Sequence, residues 1–263
     1  MNYWKQQNEK EPLFPDVLWS KPEQKNIAGK LGIVGGNSLG FAAVANAYKA
    51  ATDAGVGEVK LVLPQSLKKP LGLLPGVEFA PDNQSGGLSK NALPQLKALS
   101  TETDGLLLIG DAGKNSETQT LYETFVREMD NNNKPLIVSR DAVDLLMGVI
   151  NELIIRDNTL LVLSFSQLQK IFQNLYYPIV LVHSIQNNKL VEALHKFTIS
   201  NQATVAVFHD DLFLIASKGE VVSSRFSHPT NIWQGKTAAQ IASWFLWNPL
   251  RPLEATATAI LAK

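Results

Sequence analysis

Three glycine-bearing segments hold the residues best suited to binding an anionic ligand. Each follows an apolar run or precedes a helical pattern: Gly35-Gly36-Asn37-Ser38, Gly110-Asp111-Ala112-Gly113 and Trp233-Gln234-Gly235-Lys236-Thr237. Glycine lets the backbone approach a ligand, and free N–H groups at the start of the next helix attract phosphate or carboxylate. For any one segment alone, a tight strand-to-helix turn is the better interpretation. The candidate binding residues are Gly35, Gly36, Asn37, Gly110, Gly235, Lys236 and Thr237, together with Asp141, which follows another predicted strand.

Two familiar phosphate-binding motifs do not match. Gly235-Lys236-Thr237 resembles the end of a Walker A loop, but Thr230 stands where that loop needs its first glycine. Gly32, Gly35 and Gly36 do not have the spacing of a dinucleotide-binding G-x-G-x-x-G. We therefore reject a P-loop, and the sequence does not favour a Rossmann dinucleotide site.

The sequence provides no candidate metal centre or nucleophilic triad. The four histidines are not paired with each other or with a carboxylate at ligand spacing, and the chain has no cysteine. The His209-Asp210-Asp211 cluster is better interpreted as a solvated hairpin turn. Ser164 and Ser166 lack the flanking glycines of a nucleophile elbow. We therefore assign no catalytic or metal-binding residue.

Apolar runs that alternate with helical patterns must position these segments. Predicted strands span 31–34, 59–63, 105–109, 135–138, 160–163, 205–208 and 212–216, and predicted helices span 41–54, 116–129, 141–147, 164–175, 237–247 and 252–261. The alternation predicts a largely parallel sheet covered by helices on both faces, with a β-hairpin at 205–216. Because ligands of such sheets bind outside the carboxyl ends of the strands, the glycine segments should meet at that edge. A turn is predicted at 131–133.

The composition restricts the compartment and the partners. Acidic and basic residues balance, so the formal net charge is zero, which argues against nucleic acid as a partner and favours self-association into a homo-oligomer. Without cysteine there is no disulfide, and neither a signal peptide nor a membrane span is evident, so we expect a cytoplasmic protein. We expect residues 1–28 to form an extended arm that leads into a single domain at 29–263.

In order and spacing, these segments resemble the ribokinase superfamily and, within it, the ADP- or ATP-dependent NAD(P)H-hydrate dehydratases. The resemblance covers the opening strand with its double glycine, the alanine-rich helix, the glycine loop, the stretch with Asp141 and the closing helices, at 28–36, 42–62, 103–113, 135–146, 205–218 and 237–260. It implies a three-layer α/β/α fold. It also implies lyase or small-molecule kinase activity, a nucleotide ligand (ATP or ADP) and Mg²⁺.

The chain departs from that family where the chemistry is done. The family's Gly-Gly-Thr-Gly-Asp loop, whose aspartate acts as the base, is Ile232-Trp233-Gln234-Gly235-Lys236 here. The Thr-Pro-His-Pro-Gly-Glu segment is replaced at 162–167, the first aspartate of Asp-Ala-Asp is Ser139, and the Lys-Gly before the hairpin is Phe208-His209. A lysine is a cation near neutral pH unless desolvation lowers its pKa by several units, so Lys236 cannot replace the base.

Three interpretations follow from these departures. In the first, the protein is a divergent but active dehydratase or kinase in which Asp141 or Asp144 acts as the acid–base group, although Asp141 also suits a helix N-cap. In the second, which we favour, a non-catalytic relative binds a nucleotide or another anion through Gly235, Lys236 and the neighbouring helix start, or acts through a partner subunit. In the third, the fold is an oligomeric scaffold with tryptophans 233, 244 and 247 at its interface.

Overall fold

The computed structural model describes residues 2–129 and 134–262. In these residues one ten-stranded sheet forms the centre of the molecule. Its strands are β1 (Trp4–Gln7), β2 (Lys30–Gly35), β3 (Glu58–Pro64), β4 (Val77–Ala80), β5 (Gly105–Gly110), β6 (Leu136–Ser139), β7 (Thr159–Ser164), β8 (Thr204–His209), β9 (Leu212–Ser217) and β10 (Glu220–Arg225).

Eleven α-helices in the same residues connect and cover these strands. They are α1 (Ala42–Ala54), α2 (Lys68–Leu71), α3 (Leu93–Glu102), α4 (Ser116–Glu128), α5 (Asp141–Leu145), α6 (Ile150–Ile155), α7 (Phe165–Asn174), α8 (Asn187–Ser200), α9 (Thr230–Trp233), α10 (Lys236–Trp247) and α11 (Pro252–Leu261). Among the described residues, no helix is long and apolar enough to cross a membrane.

The strand order places a topological switch point between β2 and β5. The order is β1-β10-β9-β8-β7-β6-β5-β2-β3-β4, and within the described residues β9 is the one strand that runs against the others. From β2 the chain moves outward through β3 and β4, and it then returns to β5 and continues in the opposite direction. In sheets of this kind the crevice at such a point is the favoured position for a ligand.

Alternating side chains of the strands give the sheet two separate apolar cores. In β5, Leu106 and Leu108 face one core, while Leu107 and Ile109 face the other. The first core includes buried residues of helices α3 to α8, and the second includes those of α1, α10 and α11. The three-layer α/β/α architecture and the hairpin of β8 and β9 are thereby confirmed.

The predicted elements coincide with structural ones to within a few residues, but the prediction missed several. The prediction lacks the strands β4 and β10 and the helices α2, α3, α6, α8 and α9, and it treats β1 as part of an extended arm. Most of these sequences mix polar and apolar residues. For example, α8 carries both the buried Leu190 and the exposed Lys196. The turn predicted at 131–133 lies outside the described residues.

The N-terminal segment packs on the domain of its own chain. Strand β1 pairs in parallel with β10, and the indole of Trp4 donates a hydrogen bond to Ser223 Oγ (2.9 Å). The amide of Gln7, which is buried, donates to Ser224 Oγ (2.9 Å) and to the carbonyl of Ala257 (2.8 Å). This segment, which we predicted as an extended arm, therefore completes one edge of the sheet.

Candidate functional site

The loops that follow β2 and β5 meet at the switch point. The N–H of Gly36 donates to the carbonyl of Gly110 (2.8 Å), and the side-chain amide of Asn37 donates to the carbonyl of Asp111. A Cβ on Gly35 would lie 2.3 Å from the carbonyl oxygen of Gly110. This contact requires glycine, and it brings two of the predicted glycine segments together.

Asp141 holds the loop after β5 through both of its carboxylate oxygens. Oδ1 accepts a hydrogen bond from the N–H of Asp111 (2.7 Å), and Oδ2 accepts one from the N–H of Ala112 (3.0 Å). Asp141 is the first residue of α5, and Arg140 occupies the N-cap position. The N-cap interpretation of Asp141 is therefore wrong: its carboxylate binds a neighbouring loop instead of its own helix.

A fully buried phenol lies near this carboxylate. Burial raises the pKa of Tyr122, and the charge of Asp141 raises it further. The Tyr122 hydroxyl has no hydrogen-bond partner within the described residues. The phenol therefore stays neutral at physiological pH and does not stabilise the negative charge of Asp141.

Asp111 connects three parts of the site. Its Oδ1 accepts a hydrogen bond from Nη2 of Arg140 (2.5 Å), and its Oδ2 accepts one from the N–H of Ala43 in the first turn of α1 (2.7 Å). Both Asp111 and Arg140 have positive φ, at 53° and 58°. Such backbone conformations are costly for residues other than glycine, and they persist only where surrounding contacts hold them.

The third carboxylate of the site, that of Asp144, is also paired. Lys170 Nζ lies 2.6 Å from its Oδ1, and the side-chain amide of Gln167 donates to its Oδ2 (2.9 Å). The same amide donates to the carbonyl of Arg140 (2.7 Å), and Gln167 forms a capping box with Ser164 at the start of α7. Gln167, which replaces the family's glutamate, therefore ties α7 to the loop that carries Arg140.

These groups surround a cleft of about 550 Å³ at the carboxyl edge of the sheet, which we call the Arg140 cleft. Its lining includes Asn37, Asp111, Lys114, Arg140, Asp141, Ser166 and Trp233. Each of its three carboxylates accepts hydrogen bonds from the backbone, a cation or an amide. All three carboxylates are therefore engaged in contacts within the protein.

A second cleft of about 740 Å³, which we call the α10 cleft, lies beyond the start of α10. Its lining comes from the N-terminal segment, the end of β10, α9, α10 and the end of α11, and includes Asn8, Arg225, His228, Asn231, Thr237 and Gln240. Gly235 is the N-cap of α10, with φ at 80° and no side-chain capping bond. Trp233 lines the Arg140 cleft and Thr237 the α10 cleft, so Gly235 and Lys236 lie between the two clefts along the chain.

The predicted site residues are divided between these clefts. Asn37 and Asp141 line the Arg140 cleft, and Thr237 lines the α10 cleft. The backbone contact beneath the Arg140 cleft is formed by Gly35, Gly36 and Gly110. Sequence reasoning did not select Asp111 or Arg140. The signal was present, because Asp111 lies within a glycine segment and Arg140 directly follows a predicted strand.

The tryptophans give the scaffold interpretation little support. Trp244 is buried, and the indole of Trp247 donates to the carbonyl of Ala28 (2.9 Å), so both pack within the chain. Trp233 is 57% exposed and lines the Arg140 cleft. Homo-oligomerisation stays a prediction.

The residues do not fit a metal ion held by the protein alone. Within residues 2–129 and 134–262, no group of three or more histidines, aspartates and glutamates is placed to hold a metal. Mg²⁺ commonly binds through one or two carboxylates together with the phosphates of a nucleotide. The Mg²⁺ implied by the resemblance would therefore depend on a nucleotide for most of its ligands.

Comparison with known structures confirms the fold class. No family model and no curated protein matches this chain by sequence. A ribokinase-like superfamily protein from Enterococcus faecalis is 14% identical, with a TM-score of 0.74 over 98% of this chain and 86% of that one. A protein from Streptococcus mutans is 16% identical, with a TM-score of 0.69 over 93% and 85%. The chain therefore has a ribokinase-like fold.

The same comparison includes the dehydratases. The ADP/ATP-dependent NAD(P)H-hydrate dehydratase from Bacillus subtilis, co-crystallised with ATP and Mg²⁺, is 14% identical to this chain. Its TM-score is 0.60, and the match covers 95% of this chain and 86% of that one. The solved structures that are similar to this chain thus include a member of the family that the sequence resembles.

Proposed function

We propose that this protein binds an adenine nucleotide, ATP or ADP, in the α10 cleft and lacks the acid–base chemistry of the hydrate dehydratases. One observation carries the proposal: Lys236 begins α10 where the resemblance places the catalytic aspartate, and every carboxylate of the adjoining Arg140 cleft is already engaged. A cation at this position favours a phosphate and cannot abstract a proton.

Nucleotide binding is supported by the fold and by the start of α10. A structural neighbour crystallised with ATP and Mg²⁺ covers 95% of this chain. The first turn of α10 has no side-chain cap, so its N–H groups and the Lys236 ammonium present positive charge together. We place the nucleoside in the α10 cleft and its phosphates against Lys236 and Thr237.

Loss of the dehydratase chemistry follows from the missing base. A positioned base contributes about 10² to 10⁴-fold to a rate. Asp141 is held by two backbone N–H groups, and Asp144 by Lys170 and Gln167. Both carboxylates therefore hold the Arg140 cleft in shape, and neither occupies the position of the missing base at the start of α10.

The proposal is tested by binding and turnover measured on the same purified chain. A ligand at about 100 times its Kd stabilises a fold by about 2.7 kcal/mol, which raises Tm by roughly 5–10 °C at this size. We expect such a shift with ATP or ADP, and no dehydration of hydrated NADH above the uncatalysed rate. Robust turnover would overturn the loss of chemistry, and no shift with either nucleotide would overturn nucleotide binding.

Substitution of Lys236 tests the placement of the phosphates. Lys236→Gln should weaken ATP binding about tenfold, equivalent to 1.4 kcal/mol, and leave adenosine binding unchanged. Lys49→Gln is the matched control, because Lys49 is an exposed lysine of α1 paired with Asp53. Equal ATP affinity in the two variants would refute a contact between Lys236 and the phosphates.

A further inference from the structure

Arg140 is held in the Arg140 cleft by contacts at its backbone and at one end of its guanidinium. Its φ of 58° and ψ of −142° lie in a region that residues with a side chain rarely occupy. Its carbonyl accepts a hydrogen bond from Gln167, and its Nη2 donates to Asp111. This strained but well-supported conformation keeps the guanidinium at the cleft.

The hydrogen-bonding capacity of this guanidinium is largely unused. A guanidinium carries five N–H donors, and within the described residues Asp111 is the one acceptor. Nε is buried and has no partner, whereas 23% of the side chain is exposed. An N–H donor of a charged group that lacks an acceptor is unfavourable, so a ligand that supplies acceptors to the accessible N–H groups of this guanidinium is favoured.

The neighbouring side chains suit an anion. The cleft is lined by Lys114, which is exposed and forms no ion pair with the described residues, and by the hydroxyl-bearing residues Ser139, Ser164 and Ser166. The negative charges of the cleft do not prevent an anion from binding, because Asp111 is paired with Arg140 and Asp144 is paired with Lys170. Asp141 already accepts two backbone N–H groups.

We infer that the Arg140 cleft binds a small molecule that carries a phosphate or carboxylate group, with Arg140 as its principal contact and Lys114 beside it. A planar guanidinium matches both groups because it can donate two parallel hydrogen bonds to their oxygens. Trp233 lines the same cleft and offers an exposed aromatic surface to the body of that molecule. This site is separate from the nucleotide site proposed in the α10 cleft.

The test titrates the full-length chain with inorganic phosphate, and in parallel with acetate, against sodium chloride at equal ionic strength. We expect phosphate or acetate to raise Tm beyond the chloride reference, and the stronger of the two identifies the group. Arg140→Gln should weaken that binding by about 10- to 100-fold, as expected for the loss of a charged hydrogen bond. Lys114→Gln should weaken it by a smaller factor.

Arg127→Gln is the matched control, because Arg127 is also an arginine paired with a carboxylate, that of Glu152, but lines neither the Arg140 cleft nor the α10 cleft. It should bind the anion as the unmodified chain does. Undiminished binding by Arg140→Gln, loss of binding in Arg127→Gln, or no anion effect at all would each overturn the inference. If Arg140→Gln does not fold, Lys114→Gln and Ser166→Ala carry the test, and unchanged affinity in both would overturn it.

The two sites can fail independently. Lys236→Gln should weaken ATP binding and leave intact the part of the phosphate or acetate effect that depends on Arg140. Arg140→Gln should have the opposite pattern. A single variant that abolishes both ATP binding and phosphate or acetate binding would contradict the separation of the two sites.

Discussion

A Cβ atom on Gly110 would lie 1.9 Å from Oδ1 of Asp141, so the carboxylate occupies the space that a side chain at position 110 would need. Gly110 also has a φ of 89°, which side-chain-bearing residues rarely adopt. The absence of a side chain therefore lets Asp141 approach the loop after β5 and accept its two N–H groups. The Arg140 cleft depends on this contact for its shape.

Gly110→Ala should destabilise the fold by about 3 kcal/mol, since left-handed backbone strain costs about 1–2 kcal/mol and a weakened charged hydrogen bond about 1.5–3 kcal/mol. Denaturant unfolding measures the change. Gly40→Ala is the control, because a Cβ there meets no atom within 4 Å. Equal stability of the two variants would show that the contact between residues 110 and 141 has little energetic weight.

Asp111→Ala should destabilise the protein by about 2–4 kcal/mol, because removing one partner of a buried ion pair costs about 3–5 kcal/mol and this pair is partly exposed. The change removes acceptors for both Arg140 and the N–H of Ala43. Asp53→Ala removes an exposed i,i+4 pair with Lys49 and should cost no more than about 0.5 kcal/mol. Chemical denaturation of both variants makes the comparison. If Asp111→Ala lost as little stability as Asp53→Ala, this result would contradict the role of Asp111 in connecting Arg140 with the start of α1.

Tyr122→Phe should stabilise the protein by about 1 kcal/mol, because it removes a buried hydroxyl that has no partner. The corresponding rise in Tm is roughly 2–4 °C. Tyr177→Phe serves as a comparison, since Tyr177 packs its ring against Phe172 and Phe197 but is only partly buried. A marked loss of stability in Tyr122→Phe would show that the hydroxyl has a necessary partner, such as a bound water.

The same phenol makes stability fall at alkaline pH. Burial and Asp141 raise the pKa of Tyr122 above the ordinary value of 10.0, so above that pH the unfolded chain loses a proton that the folded chain keeps. As pH rises above 10, the titration of this group lowers the free energy of unfolding by up to about 1.4 kcal/mol per pH unit. Tyr122→Phe should flatten the dependence above pH 10 and leave that below pH 9 unchanged, as measured by denaturant unfolding. Parallel profiles of the two proteins would contradict the assignment.

Gln7→Ala should destabilise the whole domain by about 1–3 kcal/mol, since it leaves two buried acceptors, Ser224 Oγ and the carbonyl of Ala257, without their donor. Gln6→Ala is the control, because Gln6 is the exposed neighbour on the same strand. We expect one unfolding transition in both variants. A separate early transition in Gln7→Ala would show that the N-terminal segment unfolds on its own.

Local sequence was sufficient for the elements whose pattern is strongly periodic. The Ala-rich α1 and the closing helix α11 were predicted almost to the residue, because their burial follows from spacing along a single helix. The edge strands β1 and β4 were missed, because their sequences are mixed and their pairing depends on strands distant in the chain. Nothing in the Trp4–Gln7 segment specifies β10 as its partner.

For the site, the sequence indicated where ligands could bind but not which side chains would meet. The glycine segments and Asp141 were found because turn chemistry and strand ends are local signals. The Asp111–Arg140 pair was not found, because 29 residues separate its members and only the adjacency of β5 and β6 brings them together.

By itself, the sequence determined the alternation of strands and helices, the zero net charge and the presence of lysine where the resemblance expects an aspartate. These are properties of residue types and of spacing along one element. Only the tertiary structure decided that Asp141 binds a loop instead of capping its helix, that Trp233 and Thr237 line two different clefts, and that Arg140 keeps a buried donor unpaired. Each of those facts depends on the distance between chain segments, which the order of the strands sets and local sequence does not encode.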